Sequence, residues 1–337
     1  MSTIKDVALK AGVSFTTVSH VINGTRKVSE ITHQRVMQAI KECAYVPSQV
    51  ARSLQASQTH VIGLLVPDIS NPFCAEITQG IEQVAQKQGF AIMLYNHHQQ
   101  TQTQQFDDLL SRRVDGVILL AGIFQHSFLA PALQKKLAHH RLPLVLIDHE
   151  PQDIVADSLL SDAFESGRMA TQHLIDLGHQ KIACISGPLN MPVSQARVDG
   201  WKSAMQQLPN FAYEQLLFEG SFNIASGVEL AKKILTQTQC SAVFACNDMM
   251  ALGVLTAASY LNVQVPQKLS VIGVDGIAMG QYASPALTTV GKDLIALGAQ
   301  AANLLISRIK NQITGGNLRV MTQSNLILRQ STTSFQA

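Results

Sequence analysis

The chain of 337 residues contains no apolar run that approaches the length of a membrane span. Its beginning has no apolar secretory region, since Lys5 and Asp6 stand where one would start. These two absences lead to the expectation of a cytoplasmic protein. Its five cysteines, Cys43, Cys74, Cys184, Cys240 and Cys246, are odd in number and form no C-x-x-C. Neither a disulfide framework nor a zinc site is expected from them, and they read as small buried hydrophobes. No G-x-S-x-G, H-E-x-x-H, P-loop or G-x-G-x-x-G occurs. The pairs His97-His98 and His139-His140 have no carboxylate at ligand spacing and read as solvent-exposed. The chain therefore shows no catalytic constellation, no metal set and no cofactor fingerprint, and an enzyme is not expected.

What is present is an ordinary globular composition with an uneven charge. Hydrophobic residues make up 46% and charged residues 14%, with a net charge of +2. Residues 1–60 carry seven Lys/Arg against three acids, a net of +4, which leaves −2 for the remainder. A basic excess confined to one end fits a surface that meets phosphates. The length points to two or three domains.

The segment Ile4 to Asn23 reads as two short helices around a tight turn. Thr3 is placed to cap the first, with Asp6 as its capping-box partner. Ile4, Val7, Ala8 and Ala11 recur at helical spacing, Gly12 interrupts, Val13 fills the gap and Ser14 caps the second helix. Val18, Val21 and Ile22 share one face of that helix; Phe15, Thr16, Ser19, His20 and Asn23 share the other. The outer face holds donors, acceptors and one ring but no carboxylate, as a helix in a major groove requires. A plain amphipathic helical hairpin fits the same apolar spacing. Arg26 and Lys27 in the following loop suit phosphate contact, and Ser29 can cap a third helix over Glu30–Ala44, with Ile31, Val36, Ile40 and Ala44 among its apolar positions.

TIKDVALKAGVSFTTVSHVIN, followed by VSEITHQRVMQAIKECAYVPSQVARSL, closely resembles the N-terminal headpiece of the lactose-repressor (LacI/GalR) family of bacterial transcription regulators, with wording nearest to its ribose and purine repressors. The resemblance runs to about Arg329. It implies a helix-turn-helix headpiece over 1–46, whose DNA-binding candidates are Thr3, Phe15, Thr16, Thr17, His20, Asn23 and Arg26. It also implies a hinge helix within a linker over 47–60. Pro47 is suited to a first helical position, but two turns are too short to stand alone. In the family such a segment orders when two copies meet on DNA, and a leucine at the place of Leu54 wedges into the minor groove. Ser48, Ala51, Leu54 and Gln55 are the candidates there. Gln55 stands where purine-type relatives tend to carry lysine. Without the resemblance, the segment reads as a plain linker.

From Val61 short apolar runs alternate with helical stretches, the pattern of parallel sheets covered on both faces. One series of strands is expected at 61–66, 91–95, 116–121 and 143–148, and a second at 181–186, 215–220, 241–246 and 269–275. Helices are expected near 73–88, 101–113, 127–140, 162–177, 193–207, 224–237, 248–261 and 294–309. Two series imply two similar lobes, and the resemblance implies a periplasmic-binding-protein-like α/β body over 61–337. Its lobes are expected at 61–160 with 290–320 and at 161–289 with 321–330, a late strand pair near Val320–Leu328 crossing between them.

Parallel sheets bind ligands beyond the carboxyl ends of their strands. Asn71 and Phe73, Asp148, Arg197, Phe222, Asn247 and Asp275 follow strands here. Carboxylates and amides suit vicinal hydroxyls, arginine offers a rigid fork of donors, and the rings can cover a ligand's faces. Each Asp or Asn is equally placed to cap the next helix, and Asp248 reads as a cap. The resemblance implies that the seven residues line an effector pocket between the lobes. Two departures bear on the ligand: His149 stands where ribose- and purine-type relatives carry tryptophan, and Gly291-Lys292 replace their His-Gln. Taken together, these readings describe a homodimeric repressor that binds a double-stranded operator under the control of a small molecule. The expected effector is a sugar such as ribose, with a purine as the alternative. A sugar-binding protein without a DNA role fits the lobes alone. Nothing after Arg329 resembles a tetramerisation heptad.

Overall fold

The computed structural model describes residues 2–24, 26–45, 58–96, 102–120, 136, 139–140, 142–148, 155–209 and 213–335. The expected hinge helix, with Ser48, Ala51, Leu54 and Gln55, lies outside them, as do His149 and nearly all of the helix expected at 127–140. The chain forms two compact units, Met1–Thr59 and His60–Ala337.

The first unit holds α1 (Ile4–Ala11), α2 (Phe15–Asn23) and α3 (Glu30–Glu42). Thr3 and Asp6 form a closed capping box in which the Thr3 N–H donates to the Asp6 carboxylate at 2.7 Å. Gly12 ends α1 at φ +62°, where a side chain would be strained and would also meet Arg35. The freed space lets the Arg35 guanidinium donate to the Ala11 carbonyl and tie α3 to α1. Ser14 and Ser29 cap α2 and α3. Val7, Ala8, Ala11, Val18, Val36 and Ala39 form the buried core. Ile31 and Ala44 differ from expectation and are exposed. The inward stripe of α3 runs Val36, Ala39, Ile40 and Cys43, and neither residue falls on it.

The second unit contains two six-stranded sheets. Its strands are β1 (Val61–Val66), β2 (Ala91–Asn96), β3 (Gly116–Leu120), β4 (Leu144–Ile147), β5 (Asp157–Ser161), β6 (Ile182–Ser186), β7 (Leu217–Glu219), β8 (Ala242–Ala245), β9 (Ser270–Asp275), β10 (Thr288–Gly291), β11 (Arg319–Thr322) and β12 (Asn325–Ile327). The first lobe is ordered β11-β5-β4-β3-β1-β2 and the second β12-β10-β9-β8-β6-β7. Every pairing is parallel except β10 with β12. The helices are α4 (Pro72–Lys87), α5 (Gln102–Ser111), α6 (Ala163–Asp176), α7 (Pro192–Met205), α8 (Ile224–Gln237), α9 (Asp248–Tyr260) and α10 (Leu294–Ile309). Near-continuous apolar runs such as VIGLLV and IACIS form strands because helices cover both faces of each sheet.

The chain passes between the lobes three times: from β5 into α6, from β10 into α10 and from β11 into β12. The boundaries expected at 160, 289 and 320 fall inside β5, β10 and β11, so each crossing lies one or two residues later. Neither β5 nor β10 reads as a strand in the sequence, because each places polar residues in the core. Asp157 is buried against Arg308, whose guanidinium donates to it at 2.7 and 2.8 Å. The Thr289 hydroxyl donates to Asp248 at 2.6 Å, and the Thr288 N–H donates to the Ser331 hydroxyl at 2.8 Å. Buried polar groups with partners are tolerated, but an apolar-run criterion passes over them.

Candidate functional site

In the first unit, the outer face of α2 presents Phe15, 61% exposed, beside an exposed Thr16 and a half-buried His20. The first turn carries no acid, and the Thr17 N–H there donates to the Ser14 hydroxyl at 3.1 Å. The Thr17 hydroxyl lies 2.9 Å from that of Ser14, and the Thr3 hydroxyl donates to Asp6 at 2.9 Å in the cap role expected for Thr3. Arg26 is exposed in the loop after α2, and Asn23 is the last residue of that helix.

In the second unit, six of the seven expected effector residues stand at or just after the carboxyl ends of parallel strands or at the start of the helix that follows, and Arg197 lies on the second turn of α7. Asp275 ends β9 and lies 3.1 Å from the Arg197 guanidinium, with both side chains about nine-tenths buried. Arg197 also donates to the Cys246 carbonyl. It stays in place because Gly167 of α6 packs directly on its carbonyl, where a Cβ would sit 2.1 Å away. The Arg197 Nε and the Ser194 Oγ, one turn earlier on α7, are buried without a hydrogen-bond partner among the described residues. Buried polar groups of this kind nearly always have a partner, and these two lie one turn apart on α7. Ser194 carried no signal in the sequence.

Asp148 follows β4. Its Oδ1 accepts from the Ser161 N–H at 2.8 Å and from the Ser161 hydroxyl, and it lies 3.5 Å from the Lys292 ammonium. Lys292 and Ser161 were missed as partners because they are distant in sequence and meet only at the crossings. Asp148 at φ +54°, Phe222 at +59° and Asp275 at +128° all hold backbone conformations that side chains disfavour. Such strain concentrates at functional sites, where surrounding structure fixes it. The Phe222 ring lies over Gly187, where a Cβ would come within 2.1 Å of it.

The two asparagines serve the framework. Asn71 caps α4 through the Phe73 N–H at 3.0 Å, leaving Phe73 half-buried at the first turn. Asn247 caps α9 through the Met250 N–H at 2.9 Å and donates to the Phe222 carbonyl at 3.0 Å. Asn247 thereby links the start of α9 to the Phe222 backbone. Asp248, expected as the cap, is the first helical residue and fully buried. It accepts from the Gly276 and Ile277 N–H groups at 2.8 and 3.0 Å. Burial, reinforced by the Asp275 charge, pushes the Asp248 carboxyl up to about 8 despite those donors. Burial also raises Asp275 to about 6, with Arg197 pulling against it.

The pattern of "Bacterial regulatory proteins, lacI family" matches residues 3–48, and that of a "Periplasmic binding protein-like domain" matches residues 171–332. An HTH-type transcriptional repressor PurR from Vibrio vulnificus is 40% identical over 316 residues, 93% of each chain. The lac repressor dimer bound to operator and the anti-inducer ONPF superposes with a TM-score of 0.84 at 27% identity, covering 98% of this chain and 99% of that one. A LacI family transcriptional regulator from Enterococcus faecium with bound ribose gives a TM-score of 0.73 at 31% identity, covering 82% of this chain and 100% of that one. The headpiece, the two parallel-sheet lobes and a relative matched over nearly its whole length agree: the chain belongs to the lacI family of bacterial regulatory proteins and is a DNA-binding transcriptional repressor.

Proposed function

We propose that this repressor acts as a homodimer on a near-palindromic operator and is controlled by a purine base bound between the lobes. The observation that carries the ligand site is the pair of partnerless buried atoms, Arg197 Nε and Ser194 Oγ. They face the need for a ligand that offers acceptors, as the ring nitrogens and carbonyl of a purine do. Phe73 and Phe222 supply flat apolar cover for such a ring. The name of the Vibrio vulnificus relative favours the same class. The pentose expected from the sequence is supported by the ribose-bound Enterococcus faecium relative. It is weakened by Asp148, whose Oδ1 is already served by Ser161 and whose charge is already offset by Lys292.

Closing the lobes on a ligand changes the geometry of a dimer and so the ordering of the segment around Leu54, a rotation coupled to an order–disorder switch. The test uses Trp201, the chain's single tryptophan, buried on α7 one turn beyond Arg197. Purine bases titrated into the full-length protein are expected to change its fluorescence and raise its melting temperature. A response to pentoses alone would move the effector to the sugar class. Leu54→Ala is expected to weaken operator binding in a gel shift while leaving the Trp201 response intact; unchanged operator affinity at matched salt would remove the hinge wedge.

A further inference from the structure

We infer that Lys292 is a positioning residue that fastens the three interlobe crossings together. Its backbone lies in the β10-to-α10 crossing and packs on Gly276 of the second lobe, where a Cβ on that glycine would stand 3.2 Å from the Lys292 nitrogen. Its side chain reaches the other way. The ammonium donates to the hydroxyl of Ser161, the last residue of β5, and to the hydroxyl of Thr322, the last residue of β11, at 3.0 Å. Its third neighbour is Asp148, at 3.5 Å. Two of its donors are thus placed on hydroxyls, and the Asp148 carboxylate offsets its charge.

The network has a direction. Lys292 donates to Ser161, whose hydroxyl donates to Asp148; Lys292 donates to Thr322, whose hydroxyl donates to the Leu160 carbonyl at 3.0 Å. Ser161, Lys292 and Thr322 are the residues at which the chain leaves one lobe for the other, so one ammonium holds every strand that must twist when the lobes rotate. With Lys292 and Asp148 only 10% and 11% exposed, water offers little replacement for these bonds. Lys292 therefore ties the end of β10 in the second lobe to the ends of β5 and β11 in the first. It sets the lobe arrangement from which any ligand must work.

Hydrogen exchange on the full-length protein, read by mass spectrometry, tests this on three separate stretches, 157–165, 288–296 and 319–325. Lys292→Gln is expected to speed exchange about tenfold in all three, including the Ser161 amide, and Lys292→Arg to restore slow exchange. Faster exchange confined to 288–296, or none, would overturn the proposal. Should Lys292→Gln fail to fold, Thr322→Val removes one acceptor with little change of shape. It is expected to speed exchange in 288–296 as well as in its own stretch, and an effect restricted to 319–325 would equally reject the tie.

Discussion

Asp148 and Asp275 occupy equivalent places in the two lobes, yet they are neutralised in different ways. Each stands at the end of the fourth strand of its lobe, between matching neighbours in sheets ordered β5-β4-β3-β1-β2 and β10-β9-β8-β6-β7. Each has a positive φ, and each faces one cation. The partner of Asp275 is Arg197, on a helix of the same lobe that is clamped against α6. The partner of Asp148 is Lys292, in the crossing from β10 to α10. Rotation of the lobes carries the first pair along intact and works directly against the second. One fold used twice therefore gives one carboxylate paired within its own lobe and another paired with a residue of an interlobe crossing.

The largest test of this contrast is Asp275→Ala. It strands the Arg197 charge in a dry environment and is expected to cost about 3–5 kcal/mol of unfolding free energy, measured by denaturant titration. Next comes the pH dependence of the second lobe. Asp248 at about 8 and Asp275 at about 6 both lie above the 3.8 of an unperturbed aspartate, so the folded state keeps protons that the unfolded chain has released. Their contribution is full below about pH 4 and drains as the pH rises, through about 6 for Asp275 and about 8 for Asp248, at no more than about 1.4 kcal/mol per pH unit for each group. Melting curves from about pH 5 to 9 should show this decline, and Asp248→Asn should flatten its upper part. A decline unchanged in that variant would place the titration elsewhere. Asp148→Ala should cost less, about 1–3 kcal/mol, because Lys292 keeps Ser161 and Thr322 as acceptors. A loss equal to that of Asp275→Ala would erase the distinction between the pairs. The smallest effect is expected for Glu76→Ala, which removes a carboxylate that accepts from the Ala278 N–H across the lobes at 2.8 Å; about 0.5–1.5 kcal/mol is expected in the same titration.

The headpiece was legible because its determinants are local. Thr3, Gly12, Ser14 and Ser29 act within a turn of where they stand, and apolar spacing alone separates Val7, Ala8, Ala11 and Val18 from Phe15 and Thr16. Even there, Ile31 misled, since an apolar residue in a helix says nothing about whether its face has a partner. The apolar strands of the body were legible for the same local reason. The strands β5 and β10 were not, because Asp157 and Thr289 are acceptable in the core only through Arg308 and Asp248, far along the chain.

For the cleft, the residue types and their positions after strands were written in the chain; their division of labour was not. The sequence determined that Asp148 and Asp275 would stand at strand ends, since burial of the apolar runs before them requires it, whereas Arg197 reaches Asp275 from the second turn of α7. Only the tertiary structure decided that Asn71 and Asn247 cap helices, that Asp248 lies buried under a turn, and that Ser194 and Arg197 hold atoms without partners. It alone brought Lys292 to Ser161, Thr322 and Asp148. The physical reason is range: helix caps and apolar periodicity act between neighbours in sequence, whereas charges and hydroxyls find partners only where folding has brought strand ends together.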